Sequence, residues 1–205
     1  MSIRIRDETA HPRRRAAEPV RARVQGRAAV SVRIRDAILE DVPAVARVHV
    51  QSWRESYGDF LSSEALAGLS VEERARMWTR TFDDPDPRAR FLVAEEPDGE
   101  IVGFVRGGPY GPLGAVSLGT DAEIYAIYLL RKAQRKGIGR QLMTGVFDHL
   151  SDQGFASVGL WVLTGNLGAR RFYEAMGGRA GPEQPMNLSG ETVMEIAYRF
   201  EPIPR

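Results

Sequence analysis

Between Gln134 and Arg140 the chain reads Q-R-K-G-I-G-R, two glycines one residue apart with Arg135, Lys136 and Arg140 around them. Glycines at this spacing let a backbone bend closely around a ligand. If a helix starts here, its first N–H groups lack partners within it, and its dipole makes that end partly positive. The combination suits a phosphate or pyrophosphate. It equally describes a tight strand-to-helix turn with a solvated basic face. Two rival phosphate motifs fail. The dinucleotide fingerprint requires glycine where Leu142 stands, and the nucleotide P-loop requires a Gly-Lys pair, which the chain lacks.

The elements on either side fit a turn that faces a ligand. Glu123–Leu130 (E-I-Y-A-I-Y-L-L) is rich in β-branched, aromatic and aliphatic residues and too short for a buried helix, so it predicts a strand. Ile138, Leu142, Val146 and Leu150, with Met143 and Phe147 beside them, form a helical stripe. Downstream, Ser157–Leu163 predicts a strand. Asn166 then caps a short helix bearing Ala169, Phe172, Tyr173 and Met176, which Gly177 ends.

Q-R-K-G-I-G resembles the Q/R-x-x-G-x-G/A signature of the GNAT superfamily of acyl-CoA-dependent N-acyltransferases. L-W-V-L-T-G-N-L-G-A-R-R-F-Y-E-A-M-G-G resembles that family's second signature, a strand followed by N-x-x-A-R-x-F-Y-E-x-x-G. The order of elements agrees from Ser31 to about Phe200, with the specific matches confined to Glu123–Leu150 and Leu160–Gly178. The resemblance implies an α/β fold, a mixed, mostly antiparallel twisted sheet with splayed central strands, flanked by helices.

It also implies roles. Gln134, Arg135, Lys136, Gly137, Ile138, Gly139 and Arg140 would hold the pyrophosphate of acetyl-CoA, the co-substrate. Backbone groups of Ile127, Tyr128 and Leu129 would pair with its pantetheine arm, one N–H polarising the thioester carbonyl. Asn166 would bond the pantetheine or the backbone beside it. Glu123 would be the base that deprotonates the acceptor amine, and Tyr173 the acid that protonates the departing thiolate. Without the resemblance, Glu123 reads as a strand-end carboxylate and Tyr173 as a core aromatic. Arg131 and Lys132 replace the family's usual Pro-Glu and are expected to add positive charge near the phosphates. His49, Trp53 and Tyr57, at helical spacing, are candidates for the wall of an acceptor pocket, although a packed His49 is the plainer reading.

Elsewhere, Val32, Ile34 and Ala37 alternate with charges as a first strand. Asp41 as cap and Pro43 in the first turn open a helix running to Gly58. Ser70 and Glu73 form a capping box for a helix that ends at D-D-P-D-P. Phe91–Glu95 and Ile101–Arg106 form a hairpin around Asp98-Gly99. Gly107–Thr120 reads as a loop; within it A-V-S-L-G falls short of a nucleophile elbow, leaving Ser117 a loop serine. A strand is uncertain at Pro185–Leu188 and clear at Thr192–Phe200, with Gly190 between them.

Composition limits the remainder. Hydrophobic residues at 43% and charged residues at 27% place the 205-residue chain among ordinary globular domains. The absence of cysteine excludes disulfides, thiolate metal sites and a cysteine nucleophile. His11, His49 and His149 make no metal-ligand spacing, so no metal is expected. No run is apolar enough to span a membrane and no secretory signal is evident, so the cytoplasm is the expected compartment. Residues 1–30 carry eight arginines against three acids, Asp7, Glu8 and Glu18. This segment reads as a flexible basic arm preceding a domain over 31–205. The expected partners are acetyl-CoA and an amine acceptor, either a small molecule or a protein amine. No membrane partner is expected and nucleic acid is disfavoured; a homodimer is the assembly allowed for. The competing functions are a non-catalytic acyl-CoA sensor and, through the arm, a nucleic-acid binder.

Overall fold

The computed structural model describes residues 32–58, 62–111, 116–188 and 190–205. The arginine-rich arm and the boundary at Ser31 lie outside the described residues. Seven strands make one sheet: β1 Arg33–Asp36, β2 Arg90–Glu95, β3 Ile101–Pro109, β4 Ala122–Leu129, β5 Val158–Leu163, β6 Arg179–Leu188 and β7 Glu191–Phe200. Their order is β1-β2-β3-β4-β5-β7-β6, and only β4 with β5 is a parallel pair. The fold is the mixed α/β sheet that the resemblance implied.

Helices cover both faces. On one side lie α1 (Val42–Ser56), the short α2 (Ser63–Ala67) and α3 (Val71–Asp83); on the other lie α4 (Ile138–Asp152) and α5 (Leu167–Ala175). Strand alternation sorts the side chains between the two layers. Ile124 meets Val146 of α4 around Gly107, whereas Phe104 and Tyr128 join His49 of α1 and Trp78 of α3 in an aromatic group. The main core runs through the sheet, α1, α3 and α4, with Val93, Phe104, Leu142, Phe147 and Phe200 essentially inaccessible. Truncating Phe104 to Ala should cost about 3–5 kcal/mol.

The feature that shapes the site is the separation of β4 from β5. They share two residue pairs, Ala122 with Val158 and Glu123 with Gly159, and beyond Glu123 the strands are no longer paired. A second irregularity lies alongside. Between β3 and β4, Arg106 pairs with Ala126 and Gly107 with Ile124, leaving Tyr125 unmatched as a β-bulge.

Three local readings are corrected. Asp41 does not cap α1: its carboxylate binds the Arg35 guanidinium at 2.6 and 2.9 Å and the Ile38 N–H at 2.9 Å, a stronger arrangement than a cap. Gly107, Gly108 and Pro109 belong to β3 rather than to a loop. A Cβ on Gly107 would lie 2.9 Å from both Ile124 and Val146, and one on Gly108 would lie 2.8 Å from Ala89. These glycines serve close packing, not a turn. β6 begins at Arg179, well before Pro185, with a bulge between Ala180 and Glu183. Of the Ser70–Glu73 capping box the Ser70 half forms, its hydroxyl accepting the Glu73 N–H at 3.2 Å and donating to the Glu72 carboxylate at 2.9 Å.

Candidate active site

Glu123 lies at the point where β4 leaves β5, and it is 8% exposed. Its Oε2 is buried without a hydrogen-bond partner. Burial, reinforced by the Glu195 carboxylate, pushes its pKa from 4.5 up to about 7. A carboxylate so poised exchanges protons near neutrality. Its face of the strand is the one toward α1, because its neighbour Ile124 points to α4.

Antiparallel pairing decides which β4 backbone groups remain available. The Leu130 N–H donates to the Val102 carbonyl, so alternate residues, Tyr128 among them, direct their main-chain groups to β3. Ile127 and Leu129 therefore direct theirs to the opened side. The Leu129 carbonyl accepts from the Gln134 side chain at 3.0 Å. Of the three residues named for backbone contacts, Tyr128 turns its main-chain groups to Phe104 of β3, and its ring stacks on His49 at 4.6 Å.

The glycine turn has the geometry of an open helix start. Gly137, at φ 81°, is the N-cap residue of α4, and no side chain caps that end. An L-residue side chain is disfavoured at such a φ. Arg135 also has positive φ, 62°, a strained conformation outside glycine that costs about 1 kcal/mol. The first main-chain bond of the helix runs from the Gln141 N–H to the Gly137 carbonyl, and the amides of Ile138, Gly139 and Arg140 precede it. A Cβ on Gly139 would lie 3.4 Å from the Phe172 ring, so α4 starts hard against α5. Arg135 and Lys136 are exposed and form no ion pair among the described residues; Arg140 donates to the Ala175 carbonyl at 3.3 Å.

Arg131 and Lys132 do not add to this cradle. A 3-10 turn over Arg131–Ala133 directs them elsewhere. The Arg131 N–H and guanidinium bind Glu55 of α1, and Lys132 pairs with Glu100.

Across the opening, Asn166 caps α5, its Oδ1 accepting the Ala169 N–H at 3.1 Å, and its side chain also acts on the Tyr57 hydroxyl. Tyr173 is buried, and burial, with Tyr128 nearby, pushes its hydroxyl well above the usual tyrosine range. It therefore keeps its proton at neutral pH and can serve as a donor. The hydroxyls of Tyr57, Tyr128 and Tyr173 influence one another, so α1, β4 and α5 converge on one space.

His49 is a core residue. Its Nδ1 accepts from the Trp78 indole at 3.2 Å, its ring stacks on Tyr128 at 4.6 Å, and burial lowers its pKa from 6.5 to about 3. Trp53 and Tyr57 join a second apolar cluster with Val50, Leu69 and Leu163, packed by Met186 and Val193. The Asp121 carboxylate ties the start of β5 through the Ala156 N–H and the Ser157 hydroxyl, both at 3.1 Å. Glu195 was not anticipated. Its only local signal is an acid inside a strand whose neighbours are apolar.

Comparison with known proteins gives this arrangement a context. A family model described as the acetyltransferase (GNAT) family matches residues 50–178. The uncharacterized N-acetyltransferase YuaI of Bacillus subtilis is 32% identical over 166 residues, covering 80% of this chain and 90% of its own. The fold matches the PaiA N-acetyltransferase of Thermoplasma acidophilum, solved with coenzyme A, with a TM-score of 0.61 at 21% identity over 83% of this chain and 99% of that one. It also matches YncA of Salmonella typhimurium, solved with acetyl-CoA, with a TM-score of 0.62 at 16% identity over 85% and 96% of the two chains.

Proposed function

The chain belongs to the GNAT acetyltransferase family, and on that premise we propose that it transfers an acetyl group from acetyl-CoA to an amine by direct attack within a ternary complex. The observation that carries this reading is the parting of β4 from β5 immediately after Glu123, between an uncapped helix start on one side and a buried, unpartnered carboxylate on the other.

Each residue then has a task. The amides of Ile138, Gly139 and Arg140, with Arg135 and Lys136, hold the pyrophosphate. Gln134 secures the exit of β4 through Leu129, and Ile127 and Leu129 present the backbone groups that a pantetheine amide can pair with. One of these N–H groups stabilises the oxyanion that forms as nitrogen adds to the thioester carbon. An alkylamine is mostly protonated at neutral pH, and removing that proton costs about 4–5 kcal/mol. Glu123, poised at about 7, accepts it. As the C–S bond breaks, the Tyr173 hydroxyl donates to the leaving thiolate, the second proton that the nitrogen loses in becoming an amide replaces it, and the proton on Glu123 leaves to solvent. Asn166 holds the start of α5, and with it Tyr173, against the opening.

Release of free thiol from acetyl-CoA across a panel of amines tests the reading. Turnover with at least one amine is expected, falling about 100-fold or more in Glu123→Gln, in line with the weight of a general base. Binding of acetyl-CoA with no turnover on any amine would overturn it in favour of an acyl-CoA sensor.

A further inference from the structure

The face of the sheet that carries Glu123 continues beyond β4. Glu123 lies beside Gly159; Gly159, Trp161 and Leu163 lie beside Arg199, Ala197 and Glu195; and Glu195 lies beside Gln184. Alternation puts all of these on the α1 side, the side where Leu163 and Val193 meet Trp53. Glu195 is half-buried, and its Oε1 accepts from the Gln184 side chain at 2.7 Å. Gln184 is itself buried and fixed from behind, its Oε1 accepting the Val116 N–H at 3.2 Å. Glu195 is thus held in place from one side only.

Neither Glu123 nor Glu195 has a cationic partner among the described residues. Arg199 is on the same face, but its guanidinium packs over Gly119. Arg74 rests on the Trp53 ring and acts on His49 and Tyr128. Two carboxylates therefore share one partly enclosed face without a counter-charge, each held above its ordinary pKa by burial. Such an arrangement is costly unless something positive completes it. The buried, unpartnered Oε2 of Glu123 points the same way. Trp161 adds an independent sign. It is only half-buried on this face and belongs to neither apolar cluster, leaving its ring available to a cation.

We propose that the acceptor carries a second cationic group, seated against Glu195 and Trp161, while its reacting amine faces Glu123. Resting on the acetyltransfer reading, this narrows the substrate class to amines with two positive centres, such as aliphatic diamines and their longer relatives. Glu195 is a specificity-determining residue, set by Gln184, and takes no part in the proton transfers.

The test compares acetyl-CoA-dependent turnover of butane- and hexane-α,ω-diamine with that of butylamine and hexylamine. The wild-type protein should prefer a diamine in kcat/KM by about tenfold or more, the usual worth of one charge-assisted contact. In Glu195→Gln, which keeps the Gln184 hydrogen bond, that preference should fall toward unity through KM rather than kcat. Trp161→Leu should reduce it a few-fold. Diamines used no better than monoamines, or a preference that survives Glu195→Gln, would overturn the second-cation site while leaving the acetyltransfer reading intact. No turnover with any amine would overturn both.

Discussion

Replacing Glu123 by Gln should lower turnover about 100-fold or more and stabilise the fold at neutral and alkaline pH. The carboxyl is 8% exposed and its pKa rises from 4.5 to about 7. The folded state thus holds the proton more tightly than the unfolded chain does. The stability that the protonated carboxyl contributes is intact below 4.5, erodes as pH rises, and is fully lost once pH passes about 7. At roughly 1.4 kcal/mol per tenfold change in proton affinity, the loss is about 3 kcal/mol. Glutamine has the same shape and no charge to desolvate. Near pH 8 the variant should therefore melt roughly 6–12 °C above the wild type, and near pH 4 the two should coincide. Melting curves followed by far-UV circular dichroism at several pH values give the comparison. Equal melting temperatures throughout, or a variant that is less stable at high pH, would refute the claim that an unpartnered, desolvated carboxylate occupies this position.

Other substitutions probe the remaining parts. Tyr173→Phe should lower kcat about 10–100-fold with little change in acetyl-CoA affinity, as expected for loss of one proton donor, measured by steady-state thiol release. Arg135→Ala and Lys136→Ala should each weaken acetyl-CoA binding several-fold at low ionic strength, with the difference shrinking as salt is added; calorimetry at two salt concentrations measures this. Gly137→Ala forces a side chain onto the φ of 81° and should cost about 1 kcal/mol in stability as well as affinity. For His49, held neutral by burial with its pKa lowered from 6.5 to about 3, the sign reverses: the stability it contributes is present above 6.5 and is lost as pH falls toward 3. His49→Gln keeps an acceptor for the Trp78 indole and should flatten the acid side of the stability profile, by about 2–3 kcal/mol near pH 4.5, in urea titrations.

What could be read in advance was whatever is encoded locally. The β4 strand, the glycine turn and the stripe of α4 are contiguous in the chain, and their periodicities indicated them directly. Asn166 also shows its cap in sequence, and its Oδ1 accepts from Ala169. Asp41 misled because an acid before proline is a cap signal, while Arg35, six residues earlier and brought alongside by β1, binds it more strongly. Gly107 and Gly108 looked like loop glycines. Their purpose depends on Ile124, Val146 and Ala89, which only the folded sheet brings near. The separation of β4 from β5 has no periodic signature at all and entered through resemblance. Glu195 and Trp161 went unnoticed because their meaning depends on register: β7 must lie beside β5, and β5 beside β4, before Glu195 can face the same side as Glu123.

The central claim is that the amides around Gly137 and Gly139 grip a diphosphate while Ile127 and Leu129 receive the arm that follows it. Amide hydrogen exchange with and without saturating acetyl-CoA tests this most directly. Slowed exchange confined mainly to Ile127, Leu129 and Ile138–Arg140 is the expected result. Unchanged exchange at those amides, whether because acetyl-CoA does not bind or because protection arises elsewhere, would contradict it.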